Sequence, residues 1–108
     1  MLTRELMPVA GSTIAALPTR YGRHFFRSRT EARWAMYFDL LAVRWEYEVE
    51  GFHFNGRAYL PDFYFPERDE WGEVKYAGGF TDIVRDLLWH FARESGKRVL
   101  MLDGTPRD

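Results

Sequence analysis

The hydrophobic rhythm of the chain is irregular up to about Arg27, helical from Ser28, alternating from Trp45, helical again from Ile83, and continuous over Val99–Leu102. Pro8, Gly11, Ser12, Pro18 and Gly22 interrupt the first stretch, which reads as an N-terminal arm with at most a short turn of helix. Ser28 followed by Glu31 is a capping-box pattern, in which a hydroxyl and a carboxylate satisfy the orphan amides of a first helical turn. Ala32, Ala35, Met36, Phe38, Leu40 and Leu41 then recur at helical spacing, so a helix is expected from about Arg29 to Ala42. In Trp45-Glu-Tyr-Glu-Val-Glu50 apolar and acidic residues alternate, the mark of a half-buried strand. Gly51 turns or bulges it, Phe52-His53-Phe54 continues it, and Asn55-Gly56 is a two-residue hairpin turn. The returning strand is expected over Tyr59–Phe65, with Pro61 marking an edge or a bulge, and Pro66 ends it. A polar turn, Glu67–Glu70, leads to a third strand over Trp71–Tyr76.

Gly78-Gly79 breaks the chain again. Thr81 or Asp82 can cap a second helix, whose apolar face is Ile83, Val84, Leu87, Leu88, Phe91 and Ala92, and Gly96 can stop it. The run after Arg98 suits a strand buried on both faces. It follows a helical crossover and can pair parallel to an earlier strand. The expected fold class is α/β with a mixed sheet, in the order helix, three-strand antiparallel meander, helix, strand. Residues 1–27 form the arm and residues 28–108 the domain.

At 108 residues this is one small domain, and 46% hydrophobic with 18% aromatic residues supplies a core without staples. There is no cysteine, which removes disulfides, thiolate zinc sites and a cysteine nucleophile, and which suits a reducing cytoplasm. No apolar run approaches the roughly 18 residues of a membrane span, and the opening Met1-Leu-Thr-Arg-Glu5 lacks the apolar region of a signal peptide. A net charge of −1 hides a basic stretch, Arg20 to Arg33, followed by an acidic one, Glu46 to Glu73. Such a pair reads either as solvated surface or as a polyanion-binding rim around a cation-binding centre.

Within the acidic stretch, Asp62 follows Pro61, and Glu73 and Lys75 lie two apart on the next strand, hence on one face. If the strands pair, Asp62 and Glu73 converge. Two close carboxylates repel, and a hard divalent cation relieves the repulsion. Magnesium needs only one or two carboxylates beside water and phosphate oxygens, and a nearby ammonium can help to orient or deprotonate a metal-bound water or offset charge on phosphorus.

Pro61-Asp62 followed by Glu73-Val74-Lys75, with Glu31 upstream, resembles the PD-(D/E)xK nuclease superfamily and its restriction-endonuclease-like fold. The wider stretches Phe26–Trp34, Tyr47–Phe52, Tyr59–Phe63 and Trp71–Lys75 look like small phage and bacterial members, a likeness running from about Phe26 to Gly104. The resemblance implies metal-dependent hydrolysis of DNA phosphodiesters. Asp62, Glu73 and the main-chain carbonyl of Val74 would hold Mg2+, with Mn2+ as a substitute. Lys75 would position or activate the attacking water. Glu31 would be the helix-borne acid that holds water or a second metal. Many relatives carry glycine after the lysine, where this chain has Tyr76.

Each residue has a plainer reading. Glu31 can be only the capping acid, Glu73 and Lys75 a solvated strand pair, and Asp62 a turn acid. Glu46, Glu48 and Glu50 read as the wet face of their strand, with Glu48 or Glu50 beside the site as the minor alternative. His24, His53 and His90 share no element and no metal spacing, and the tryptophans read as core. Arg27, Arg29 and Arg33 are the candidate DNA contacts, the last two one helical turn apart on a common face. The leading expectation is a magnesium-dependent DNA endonuclease, with structure-specific cleavage compatible with its size. The alternative is a non-catalytic DNA-binding or assembly subunit on the same fold. A homodimer and membership of a larger phage or transposon assembly both remain open.

Overall fold

A computed structural model gives the architecture over residues 17–107, and residues 1–16 of the arm lie outside the described residues. The fold is a mixed α+β arrangement. It opens with a hairpin of β1 (Thr19–Tyr21) and β2 (His24–Phe26), followed by α1 (Arg29–Leu40) and β3 (Glu46–Tyr47). A second hairpin, β4 (Phe52–Phe54) and β5 (Arg57–Tyr59), precedes β6 (Phe63–Phe65), β7 (Glu70–Lys75), α2 (Asp82–Ser95) and β8 (Val99–Asp103). The central sheet has the order β3-β6-β7-β8; β3, β6 and β7 are antiparallel neighbours, and β8 joins β7 in parallel after the α2 crossover. Among the described residues no helix is long and apolar enough to cross a membrane.

The sheet separates two apolar clusters. On one face Phe63, Phe65, Val74 and Leu102 pack with Ala32, Ala35 and Phe38 of α1 and with Phe26 of β2. On the other, Trp71 packs with Leu88 and Phe91 of α2 and with Phe54 and Tyr59 of the β4–β5 hairpin. Alternation along β7 therefore sends Gly72 and Val74 toward α1, and Trp71, Glu73 and Lys75 toward α2.

Several local expectations meet their elements. Ser28 caps α1, its Oγ accepting from the Glu31 amide at 3.1 Å, and Thr81 caps α2. Gly96 ends α2 in the left-handed conformation at φ 71°. Asn55 and Gly56 take φ of 50° and 69° in the turn between Phe54 and Arg57, as a type I′ hairpin requires.

Others need correction. The helix ends at Leu40 rather than Ala42, because Ala42 turns left-handed at φ 56°. The strand expected over 45–50 stops at Tyr47, where Glu48 adopts φ 48°. The strand expected over 59–65 is split at Leu60-Pro61-Asp62 into β5 and β6, which belong to different sheets. Residues 19–26, expected to hold at most a turn of helix, form a hairpin whose Phe26 is buried in the core. Strand β8 is an outer strand and is not buried on both faces. Val99 packs against the α2-side cluster, whereas Met101, next on that face, is 46% exposed.

Candidate active site

The split at Pro61 builds the site. The β6–β7 ladder pairs Phe65 with Glu70, Tyr64 with Trp71 and Phe63 with Gly72, and there it ends. The next register step would set Asp62 opposite Glu73. Instead the strands fork, and the Asp62 carboxylate takes the place of a ladder acceptor, its Oδ2 accepting from the Val74 amide at 2.8 Å. The Asp62 main-chain carbonyl accepts from the Glu48 amide at 2.9 Å, which fixes the residue from the β3 side as well. Asp62 is fully buried and Glu73 almost so.

Among the described residues, two groups hold Glu73. Its Oε1 accepts from the Tyr59 hydroxyl at 2.7 Å, and its Oε2 lies 3.2 Å from Lys75 Nζ. Tyr59 arrives from β5, so the inserted hairpin reaches over the α2-side face of the sheet to the acid. Lys75 is partly exposed beside its buried partner, with a third of its side chain open to solvent. Pro61, Asp62, Glu73, Val74 and Lys75 thus come together at one fork.

Glu31 belongs to the same region through Tyr47. It is buried in the first turn of α1, where its Oε1 accepts a short hydrogen bond from the Tyr47 hydroxyl. That hydroxyl in turn accepts from the Arg27 amide at 3.1 Å, and Tyr47 is the register partner of Phe63, next to Asp62. Burial, and after it the Glu31 charge and hydrogen bond, push the Tyr47 hydroxyl far above the ordinary tyrosine range. Glu31 is thus both the residue whose amide the cap satisfies and a buried acid tied to the sheet.

Arg27 turns inward. Its Nε donates to Glu48 Oε2 at 2.6 Å, both side chains are largely buried, and its buried Nη1 has no hydrogen-bond partner among the described residues. Glu48 is therefore not on a wet strand face: the positive φ that ends β3 swings it beside the fork. Arg29 and Arg33 stay exposed on α1. The supporting hydroxyls of Tyr47 and Tyr59 were not legible as site residues. The alternation around Tyr47 marks only a half-buried strand, and nothing local to Tyr59 places β5 over Glu73.

Asp62 and Glu73 bring carboxylate oxygens, the hard donors that magnesium takes, to the same step of the fork. This donor chemistry fits magnesium. Among the described residues no three His, Asp or Glu side chains cluster as a metal cage. No protein-family model matches the chain, and neither the curated proteins nor the solved structures include a significant match to it.

Proposed function

We propose that the chain is a magnesium-dependent DNA endonuclease that hydrolyses phosphodiester bonds by a PD-(D/E)xK mechanism on a restriction-endonuclease-like core. The observation that carries the reading is the fork: a buried Asp62 and Glu73 at the register step where the ladder fails, with Lys75 against Glu73. In this reading Asp62, Glu73 and the Val74 carbonyl hold the cation, which when bound supplies Lewis-acid polarisation of the phosphoryl oxygen. Lys75, at the exposed margin, orients the attacking water or offsets charge on phosphorus. Tyr59 holds Glu73 in place, and Tyr47 holds Glu31, which borders the site as a further acid. Arg29 and Arg33 meet backbone phosphates from the exposed side of α1.

The test is cleavage of supercoiled plasmid and of a branched DNA with magnesium or manganese, comparing the natural chain with Lys75→Ala. Metal-dependent cutting that the variant loses while staying folded is the expected result. Equal activity in the Lys75, Asp62 and Glu73 alanine variants would sink the proposal.

One observation favours a second reading, a DNA-binding or assembly subunit without cleavage of its own. Among the described residues no three acids form a cage, and both fork carboxylates are already engaged by protein donors. Absence of magnesium binding at the fork, with DNA binding intact, is the outcome that selects it.

A further inference from the structure

We propose that the outward face of the β1–β2 hairpin is a binding platform for a single-stranded DNA segment, with Phe25 stacking on an unpaired base and neighbouring arginines on its phosphates. The proposal rests on the nuclease reading for its choice of DNA and adds to it the form of substrate the enzyme prefers.

The hairpin has two chemically distinct faces. Thr19, Tyr21 and Phe26 lie inward, Phe26 in the core and Tyr21 bonded to Asp39 Oδ2 of α1 at 2.6 Å, which anchors the hairpin to the domain. Arg20 and Phe25 are register partners on the opposite face. The Phe25 side chain is 64% exposed, and the Arg20 guanidinium lies 4.6 Å from its ring centroid. An anchored hairpin holds this ring in water at a fixed place, which a folding role does not require.

Charge selects the partner. No acidic residue occurs between Leu17 and Thr30, whereas Arg20, Arg23, Arg27 and Arg29 do. Arg20, Arg23, Arg29 and Arg33 are all exposed, and none makes an ion pair among the described residues. An aromatic ring flanked by unpaired guanidinium groups suits a polyanion with π faces. In duplex DNA those faces are hidden by stacking, whereas a single strand presents them, and base–aromatic stacking is the usual sequence-tolerant means of holding one. The hairpin also runs directly into the candidate site. Residue 27 follows β2 at once, and its amide and guanidinium are bonded to Tyr47 and Glu48. The platform is thus continuous along the chain with residues that border the fork.

The experiment is fluorescence anisotropy with a labelled oligothymidylate and with a labelled duplex. EDTA is present so that no cleavage intervenes, and Phe25→Ala, Phe25→Trp and Arg23→Ala are compared with the natural chain. Phe25→Ala should weaken single-strand binding by about tenfold, the size of losing one stacked base. Phe25→Trp should retain it, and duplex affinity should change little in either. Arg23→Ala should shallow the salt dependence of single-strand binding by about 0.7 in log–log slope, one phosphate contact. Circular dichroism checks that the exposed-site variants remain folded. Unchanged single-strand affinity in Phe25→Ala, equal loss on duplex, or no single-strand binding by the natural chain overturns the proposal. Stacking behaviour as expected in a chain that never cleaves DNA would instead refute the nuclease reading and leave the platform standing.

Discussion

Asp62 and Glu73 are the two residues that the β6–β7 register would bring face to face, and they sit one step beyond the last pair, Phe63 with Gly72. Like charges directly opposite in a sheet destabilise it. The chain meets this conflict by ending the ladder at that step. Pro61, which has no amide to donate, is the residue before Asp62, and the Asp62 side chain rather than a backbone carbonyl accepts from Val74.

Asp62→Asn tests that conflict. The amide oxygen can keep the bond to Val74 while the charge is gone. In the absence of divalent metal the variant should melt above the natural chain, with each kcal/mol of relief raising Tm by about 4–8 °C. Magnesium should raise the melting temperature of the natural chain, by the equivalent of about 2.7 kcal/mol at a hundredfold excess over Kd, and leave the variant unmoved. A variant that melts lower, or that still responds to magnesium, would contradict the assignment.

Tyr47→Phe removes the donor to Glu31 and the acceptor for the Arg27 amide. Hydrogen bonds to a charged group contribute about 1.5–3 kcal/mol, so a clear fall in denaturant midpoint at constant slope is expected. Cleavage should drop less than in Lys75→Ala, since Tyr47 acts through Glu31. The hydroxyl is raised by burial first and Glu31 second, so it favours the folded state below the ordinary tyrosine value of about 10 and loses that contribution as pH climbs toward the folded value. The natural chain should therefore lose stability above that pH in a way that Tyr47→Phe does not. Parallel alkaline melts of the two proteins would argue against the buried bond.

Asp69 ties the turn before β7 to the end of α2. Its Oδ1 accepts from the Tyr64 hydroxyl and lies 3.0 Å from Lys97 Nζ. The Tyr64 hydrogen bond, and then Lys97, hold its carboxyl below the ordinary range, and Asp69 lifts Lys97 above its own. A depressed carboxyl stabilises above its unfolded value of about 3.9 and loses this as pH falls through the folded one; a raised lysine does so below about 10.4 and loses it as pH rises further. Asp69→Asn tolerates the positive φ of 53° at this position and should melt slightly below the natural chain between those limits. The gap should close in acid, and a gap that persists at pH 2 would rule out the ionic origin.

Gly72 is a packing position rather than a turn. A Cβ there would stand 2.9 Å from Phe65 Cε2 and 3.3 Å from Leu102 Cδ1. Phe65 is buried against Phe38, with ring centroids 4.8 Å apart, so it has little room to yield. Gly72→Ala should cost about 1–3 kcal/mol by overpacking, read as a lower urea midpoint. A neutral result would mean that the face between α1 and the sheet is looser than its contacts imply.

Sequence reasoning reached what is encoded over a few adjacent residues. The Ser28 cap, the Asn55-Gly56 turn and the Gly96 stop each depend on local backbone chemistry and appear where expected. So does the parallel pairing of β8, which follows from the crossover. The approach of Asp62 to β7 was legible because its strand was expected to pair with the strand that carries Glu73. The arrangement around it was not. Whether residues 59–65 form one strand or two depends on tertiary pairing, and Pro61 is compatible with either. Thr19–Phe26 lacks a strand-like run long enough to outweigh Pro18 and Gly22, yet anchoring through Tyr21 and Phe26 makes it a hairpin. The left-handed turn at Glu48, a residue without special preference for it, left no local trace at all.

The sheet that keeps the two apolar clusters apart also divides the supports of the site between them. Glu31 is carried by the cluster under α1, while Glu73 and its partner Tyr59 rest on the cluster under α2. Substitutions at Ala35 and at Leu88 share no cluster, so their effects on folding free energy should sum. The proposed activity would not inherit that independence, because it would need both halves aligned at the same instant. A sequence can thus drift on either side at a modest cost in stability, while the chemistry proposed for the fork would register the product of both changes.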